Sequence, residues 1–266
     1  MEYRELGRTG ERVSTIGMGT WRFGSYQSAE ERASQADILR RGVELGINHV
    51  DTAEMYAGGR SEEVVGEAAR GLRSNMFIAS KVAPGHLRHD DVIRACRASL
   101  QRLGTTYIDL YQVHWPDRRV PIKETMSAME ELVKLGAVRY IGVSNFSVAE
   151  TEDARAALKA NELVSNQVEY SLINRFAEEE ILPYCEREKL TLIAYSPLAR
   201  GNIAGSIPSR ILGKYEMTPA QVMLNWVTRS DHVVAIPKAA DVSHLQENAG
   251  SVRVRFEPDE YDLISS

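Results

Sequence analysis

The feature that most constrains this chain is an alternation that runs along almost all of it. Short runs rich in Val, Ile and Tyr recur at near-regular spacing, with a longer last gap: 15–19, 47–51, 76–82, 107–114, 139–145, 164–170, 190–196 and 232–237. Near-continuous apolar runs of this length are how strands covered on both faces read. Amphipathic stretches lie between them. In 29–46, Ala33, Ala36, Leu39 and Val43 fall on one stripe, and the stripe stops at Gly46. The same grammar predicts helices over 61–72, 90–104, 122–136, 147–160, 177–189 and 218–230; the last opens on Thr218-Pro219, a cap followed by proline at the first helical position. Eight strands, each followed by a helix, predict an α/β protein of the (β/α)8 TIM-barrel type, with residues 1–266 as one domain. A doubly wound open sheet is the rival and usually needs fewer strands at this length. The first residues, YRELGRTGERVSTIG, read as a short β-hairpin turning at Thr9-Gly10 and closing the barrel floor.

Composition narrows the function classes. With Lys+Arg 32 against Asp+Glu 37, the net charge of −5 gives no electrostatic reason to bind nucleic acid or an anionic membrane. Cys96 and Cys185 are too few for a disulfide scaffold or a Cys-rich metal site. No signal peptide and no uncharged span of bilayer length is read, so the expected location is the cytoplasm and the expected state a monomer. No metal is expected: His86 and His89 lack the spacing of a metal motif and read as a solvated loop running into a helix. Cys96 reads as core, and the run Glu178-Glu179-Glu180 as an acidic helix N-terminus.

In a (β/α)8 barrel, chemistry sits at the C-terminal strand ends. There the sequence places Asp51, Lys81 and His114, with Tyr56 in the loop after Asp51. A lysine inside IASKV is costly to bury unless an acid pairs with it, and Asp51 at the neighbouring strand tip is the candidate. An ammonium beside Tyr56 would lower the phenol's pKa, making it a reversible proton donor. A neutral imidazole could orient a carbonyl oxygen. These parts suit carbonyl reduction and lack only a hydride source, so a cofactor is required.

The string DTAEMY (51–56) followed by SEEVVGEA (61–68) resembles the aldo-keto reductase family. So do SKV (80–82), YQVHWPD around His114, GVSNF (142–146), NQVEYS (166–171), AYSPLARG (194–201) and IPK…EN (236–248). The resemblance implies an enzyme that reduces aldehydes and some ketones with NADPH, or with NADH as an alternative. It implies a catalytic tetrad of Asp51, Tyr56, Lys81 and His114, with Tyr56 as the general acid. It also implies Ser144, Asn145 and Gln167 at the nicotinamide carboxamide, Tyr195 stacked on the ring, and Gly19, Thr20 and Trp21 bordering it, beside Asp51. Ser196, Leu198 and Arg200 fall where the family grips the pyrophosphate; Lys238, His244, Glu247 and Asn248 fall at the adenosine end. The substrate pocket would be bordered by Trp21, Tyr56, His114, Trp115 and Phe146.

This sequence departs from the family's pattern in several places. Ala239 and His244 stand where the family often has Ser and Arg against the 2′-phosphate, so a reduced margin for NADPH over NADH is expected. The stretch 200–217 is short for a loop over the cofactor, with Gly201, Gly205 and Gly213 letting it move. The long C-terminal loop of many relatives looks absent, which implies an open pocket. Two rivals stay open: a Schiff-base lyase using Lys81, and a slow cofactor-bound redox-sensing or binding subunit on the same barrel.

Overall fold

The structure is a computed structural model and describes residues 1–202 and 207–265. A hairpin of β1 (Tyr3–Glu5) and β2 (Arg12–Ser14) opens the chain. Eight parallel strands follow in sequence order: β3 (Met18–Gly19), β4 (His49–Asp51), β5 (Phe77–Val82), β6 (Ile108–Val113), β7 (Val138–Ser144), β8 (Leu163–Glu169), β9 (Thr191–Tyr195) and β10 (Val233–Ala235). A parallel bridge between Ile16 and Ala235 joins the two ends. Gly17 N donates to Ala235 O at 2.7 Å and Ala235 N to Thr15 O at 2.9 Å, so the sheet is a closed barrel.

The helices are α1 (Ala29–Glu44), α2 (Arg60–Ala69), α3 (His89–Leu103), α4 (Ile122–Lys134), α5 (Val148–Ala157), α6 (Ile181–Glu188), α7 (Ser209–Tyr215), α8 (Pro219–Val227), α9 (Val242–Ala249) and α10 (Pro258–Ser265). Thr218 and Gln221 cap α8 reciprocally, with Pro219 in the first turn, as the sequence predicts. Alternation along each strand sorts side chains to two sides. Phe77 and Ala79 join Leu110, Val164, Ile193 and Val234 inside the barrel, while Ile78 packs outward under the helices. Leu6 and Val13 of the hairpin belong to that inner cluster, so the hairpin plugs the barrel from below.

Two expectations need correction. The stretch 200–217 is not all loop: α7 occupies Ser209–Tyr215, with Ile211 buried in the outer core, and Gly213 lies inside that helix. Gly205 lies outside the described residues. The helix predicted from 177 begins at Ile181, with Glu180 as its N-cap, so the acidic run does stand at a helix N-terminus but ahead of the first turn. Glu178 sits in a 3-10 turn and accepts from Arg175, Arg229 and the Tyr170 hydroxyl, because three donors converge there. Among the described residues, no helix is long and apolar enough to cross a membrane.

Candidate active site

β4 and β5 lie side by side in register, Asp51 opposite Ala79, so their C-terminal ends bring Asp51 and Lys81 together. Lys81 is fully buried, and its Nζ donates to Asp51 Oδ1 at 2.5 Å, to the Thr52 carbonyl at 2.9 Å and to Tyr56 Oη at 3.3 Å. Gln167 Nε2 donates to the other Asp51 oxygen at 2.8 Å. Both carboxylate oxygens and all three ammonium protons therefore have partners, which is the condition for burying such a pair. Burial alone would lower the lysine's pKa; Asp51 and Tyr56 overcome it, and the net direction is up. The amine stays an ammonium.

Tyr56 reaches this pair through a strained turn. Ala57 (φ 50) and Gly58 (φ 63) are left-handed, and Gly59 (φ 92) continues the reversal into α2. A left-handed non-glycine residue costs about 1–2 kcal/mol, so the turn persists because its surroundings impose it. The Tyr56 phenol is moved above its usual range. Burial, with the Asp51 carboxylate adding to it, pushes it up by more than the Lys81 ammonium pulls it down. This corrects the expectation of an unusually acidic phenol: the ammonium only limits the rise. The His114 ring stands edge-on to Tyr56, with centroids 5.7 Å apart. Burial, with Lys81 adding to it, drives His114 down to about 3, so its imidazole is neutral at neutral pH.

Asp51, Tyr56 and His114 line a cavity of about 880 Å3; Lys81, which contacts Asp51 and Tyr56, is not part of its wall. Gly19, Thr20, Trp21, Ser144, Asn145, Gln167, Tyr195, Ser196, Leu198, Arg200, Lys238, His244, Glu247 and Asn248 line the same cavity. Trp21 and Trp115 flank its mouth, each half-exposed. The amide and hydroxyl groups are mutually braced. Asn145, in the left-handed region (φ 62), donates to the His114 carbonyl at 3.0 Å and accepts from the Tyr195 hydroxyl at 3.0 Å. Ser144 Oγ donates to the Gln167 carbonyl at 2.9 Å.

Phe146 is not brought to the pocket. It is 1% exposed in the outer core, where the chain turns inward to cap α5, and its carbonyl accepts from Asn166 Nδ2 at 2.8 Å. Ala239 is buried outside the cavity wall, and its neighbour Ala240 lines the cavity instead. Sequence reasoning missed Arg22, Pro219 and Ala220, which also line it. The Thr218-Pro219 cap was a usable signal for the last two, because a helix N-terminus presents free N–H groups to an anion. Nothing in the sequence around Arg22 marks it. His86 Nδ1 lies 3.0 Å from Glu54, and His89 is paired with Asp90 and Glu131. Among the described residues, no group of three or more His, Cys, Asp or Glu could hold a metal.

A closed (β/α)8 barrel with a buried ammonium–carboxylate pair, a phenol and a neutral imidazole gathered at one cavity at its strand ends defines a barrel enzyme. The profile of the Aldo/keto reductase family matches residues 15–210. The chain is 40% identical to the methylglyoxal reductase YeaE of Escherichia coli over 258 residues, 95% of this chain and 90% of that protein. It is 39% identical to a thermostable aldo-keto reductase solved with the inhibitor epalrestat, with a TM-score of 0.95 over 100% of this chain and 99% of the other. An aldo-keto reductase from Klebsiella pneumoniae solved with NADPH is 37% identical, with a TM-score of 0.91 over 99% and 93% of the two chains. The chain belongs to the aldo/keto reductase family.

Proposed function

We propose that the protein reduces aldehydes and some ketones to alcohols with NADPH, and that Tyr56 is the general acid. The observation that carries this reading is the fully buried Lys81 ammonium held at once by Asp51 and Tyr56 of the cavity wall and by the Thr52 carbonyl. The cavity suits a dinucleotide. Amide and hydroxyl groups line it, and Arg200 and Lys238 bring positive charge to its wall. The N-terminus of α8 opens onto it at Pro219 and Ala220. NADPH, when bound, supplies the hydride.

The chain's own residues do the rest. Tyr56 holds its proton at neutral pH and delivers it to the oxygen of the reduced carbonyl. The Lys81 ammonium stabilises the phenolate left behind, and Asp51 holds the ammonium in place. His114, neutral, orients the carbonyl oxygen. The half-exposed indoles of Trp21 and Trp115 border an open mouth that suits varied small substrates. A Schiff-base role for Lys81 is disfavoured, because a nucleophilic amine must be neutral and reachable, and this one is charged and fully buried. The same reading takes residues 1–266 as one domain, acting as a monomer in the cytoplasm.

The test is a panel of small aldehydes, ketones and sugars assayed with both reduced cofactors, on the wild type and on Tyr56→Phe. The variant is expected to lose turnover by about 10²-fold or more while keeping its affinity for NADPH. Turnover retained in Tyr56→Phe removes the assignment.

A further inference from the structure

Next to the reacting groups lies a set of hydroxyls that the reaction as written does not use. Thr20, Thr52 and Ser61 are fully buried. Thr52 Oγ1 lies 3.0 Å from Ser61 Oγ, and Ser61 Oγ lies 2.8 Å from Thr20 Oγ1. Thr20 Oγ1 in turn donates to the Asp51 carbonyl at 2.9 Å. That last bond fixes the direction of the others. A carbonyl only accepts, so the one Thr20 proton is committed to Asp51. Thr20 Oγ1 must then accept from Ser61, whose proton also faces the Thr20 carbonyl at 3.2 Å. With its own proton committed to Thr20, Ser61 accepts from Thr52. The chain runs from Thr52 through Ser61 and Thr20 to the Asp51 carbonyl.

What this chain holds is the residue Thr52, by its side chain, against the carbonyl of Asp51 before it. β4 ends at Asp51, so the Thr52 carbonyl lies beyond the strand and instead accepts from Lys81 Nζ. Thr52 N–H donates to Ala79 O at 2.9 Å, and apart from that bond and the one from Lys81, Thr52 is tethered by its hydroxyl. Ser61 sits in the first turn of α2, just after the strained turn that carries Tyr56. One hydroxyl chain therefore ties together the loop of Tyr56, the strand end of Asp51 and the cavity wall at Thr20. Of the three contacts of Lys81, the one to Tyr56 is the longest, at 3.3 Å, and is the first to be lost if the ammonium shifts.

We propose that Thr52 and Ser61 are positioning residues, whose hydroxyl chain sets the Thr52 carbonyl against the Lys81 ammonium and thereby keeps that ammonium on Tyr56. The proposal rests on the acid–base reading of Tyr56 above. Thr52→Val keeps the side-chain shape and removes the hydroxyl; Thr52→Ser restores it. The readouts are the pH titration of Tyr56 in the full chain without cofactor, followed with 13C-labelled tyrosine and assigned by Tyr56→Phe, the pH profile of turnover, and the melting temperature.

In Thr52→Val the Tyr56 titration is expected to move up by about one pH unit, because the ammonium that favours the phenolate is less well placed. Carbonyl reduction is expected to slow about tenfold, a part of the roughly 10²–10⁴-fold that general acid catalysis contributes. Thr52→Ser is expected to bring both back. Ser61→Ala breaks the same chain one link on and carries the test if Thr52→Val does not fold. An unmoved Tyr56 titration in Thr52→Val, or a loss of turnover that Thr52→Ser fails to restore, overturns the proposal. Should the wild type reduce no carbonyl at all, the proposed function falls, while the titration still decides this point.

Discussion

Burial, joined by the Asp51 carboxylate, raises the Tyr56 phenol against the pull of the Lys81 ammonium, and the net direction is up. A sequence shows the lysine and the tyrosine but not the depth at which they meet, so it shows the ammonium's effect and misses the larger one. The sign has a consequence for pH dependence. With Tyr56 as the proposed general acid, carbonyl reduction needs the protonated phenol, which is the form present below its raised pKa. Reduction is therefore expected to stay flat through neutral pH and to decline only in the strongly alkaline range. Alcohol oxidation needs the phenolate and is expected to rise over that same range. His114, pushed down to about 3, contributes no limb between pH 5 and 8. Steady-state rates in both directions from pH 5 to 11 check this; a reduction rate that falls through a single limb near pH 6.5 would show that His114 titrates as an ordinary histidine and carries the proton.

At the scale of elements, the barrel was legible because its strands keep their apolar runs and its helices their caps. Strand-end residues could be placed by the same logic: Asp51, Lys81 and His114 needed only the knowledge of where each strand stops. What was not legible depends on which way a loop turns after its strand. Phe146 follows Asn145 in sequence, yet the left-handed Asn145 sends the next residue into the outer core. Long-range staples were equally invisible. Arg4 of β1 is buried, with its side chain 5% exposed. Its guanidinium donates to the Ser230 and Val233 carbonyls, and to that of Thr228 at 2.5 Å, just past the end of α8. Thr228 is the C-cap residue of α8 and Val233 opens β10, so one cation ties the helix end to the strand that follows it. Nothing in YRE announces partners more than 200 residues away. Replacing Arg4 with Met is expected to cost about 2–3 kcal/mol, the loss of hydrogen bonds to a charged group. Urea melts would show this as a lower midpoint at unchanged slope. Turnover per folded molecule is expected to hold, since the staple lies on the barrel floor, opposite the site.

Closure of the whole barrel builds the cavity, because it sets the first strand against the last. Gly19 N donates to the Pro237 carbonyl at 3.1 Å, and a Cβ on Gly19 would come within 2.5 Å of the Ile236 carbonyl, so this seam admits only glycine. Across it, the loop at 19–21 meets the segment 236–248, and residues more than 200 positions apart share one cavity wall. On the proposed NADPH reading, the 236–248 side of that wall would choose between NADPH and NADH, which differ by one phosphate. Lys238 is exposed there. The His244 ring is already held, its Nδ1 3.0 Å from Asp241, the residue that also caps α9. An acid next to the imidazole opposes an incoming phosphate, so Lys238 is left as the main discriminating charge. A single charge-assisted contact corresponds to about 10–100-fold in affinity. Dissociation constants measured by fluorescence are expected to favour NADPH within that range, and the margin is expected to shrink at high salt as the contact is screened. Lys238→Met should bring the two constants together. His244→Arg should widen the gap by about tenfold, because a guanidinium reaches the phosphate with a planar, permanently charged fork. Equal constants for the two cofactors in the wild type would mean that Lys238 does not reach the phosphate, and that this side of the cavity grips only the adenosine.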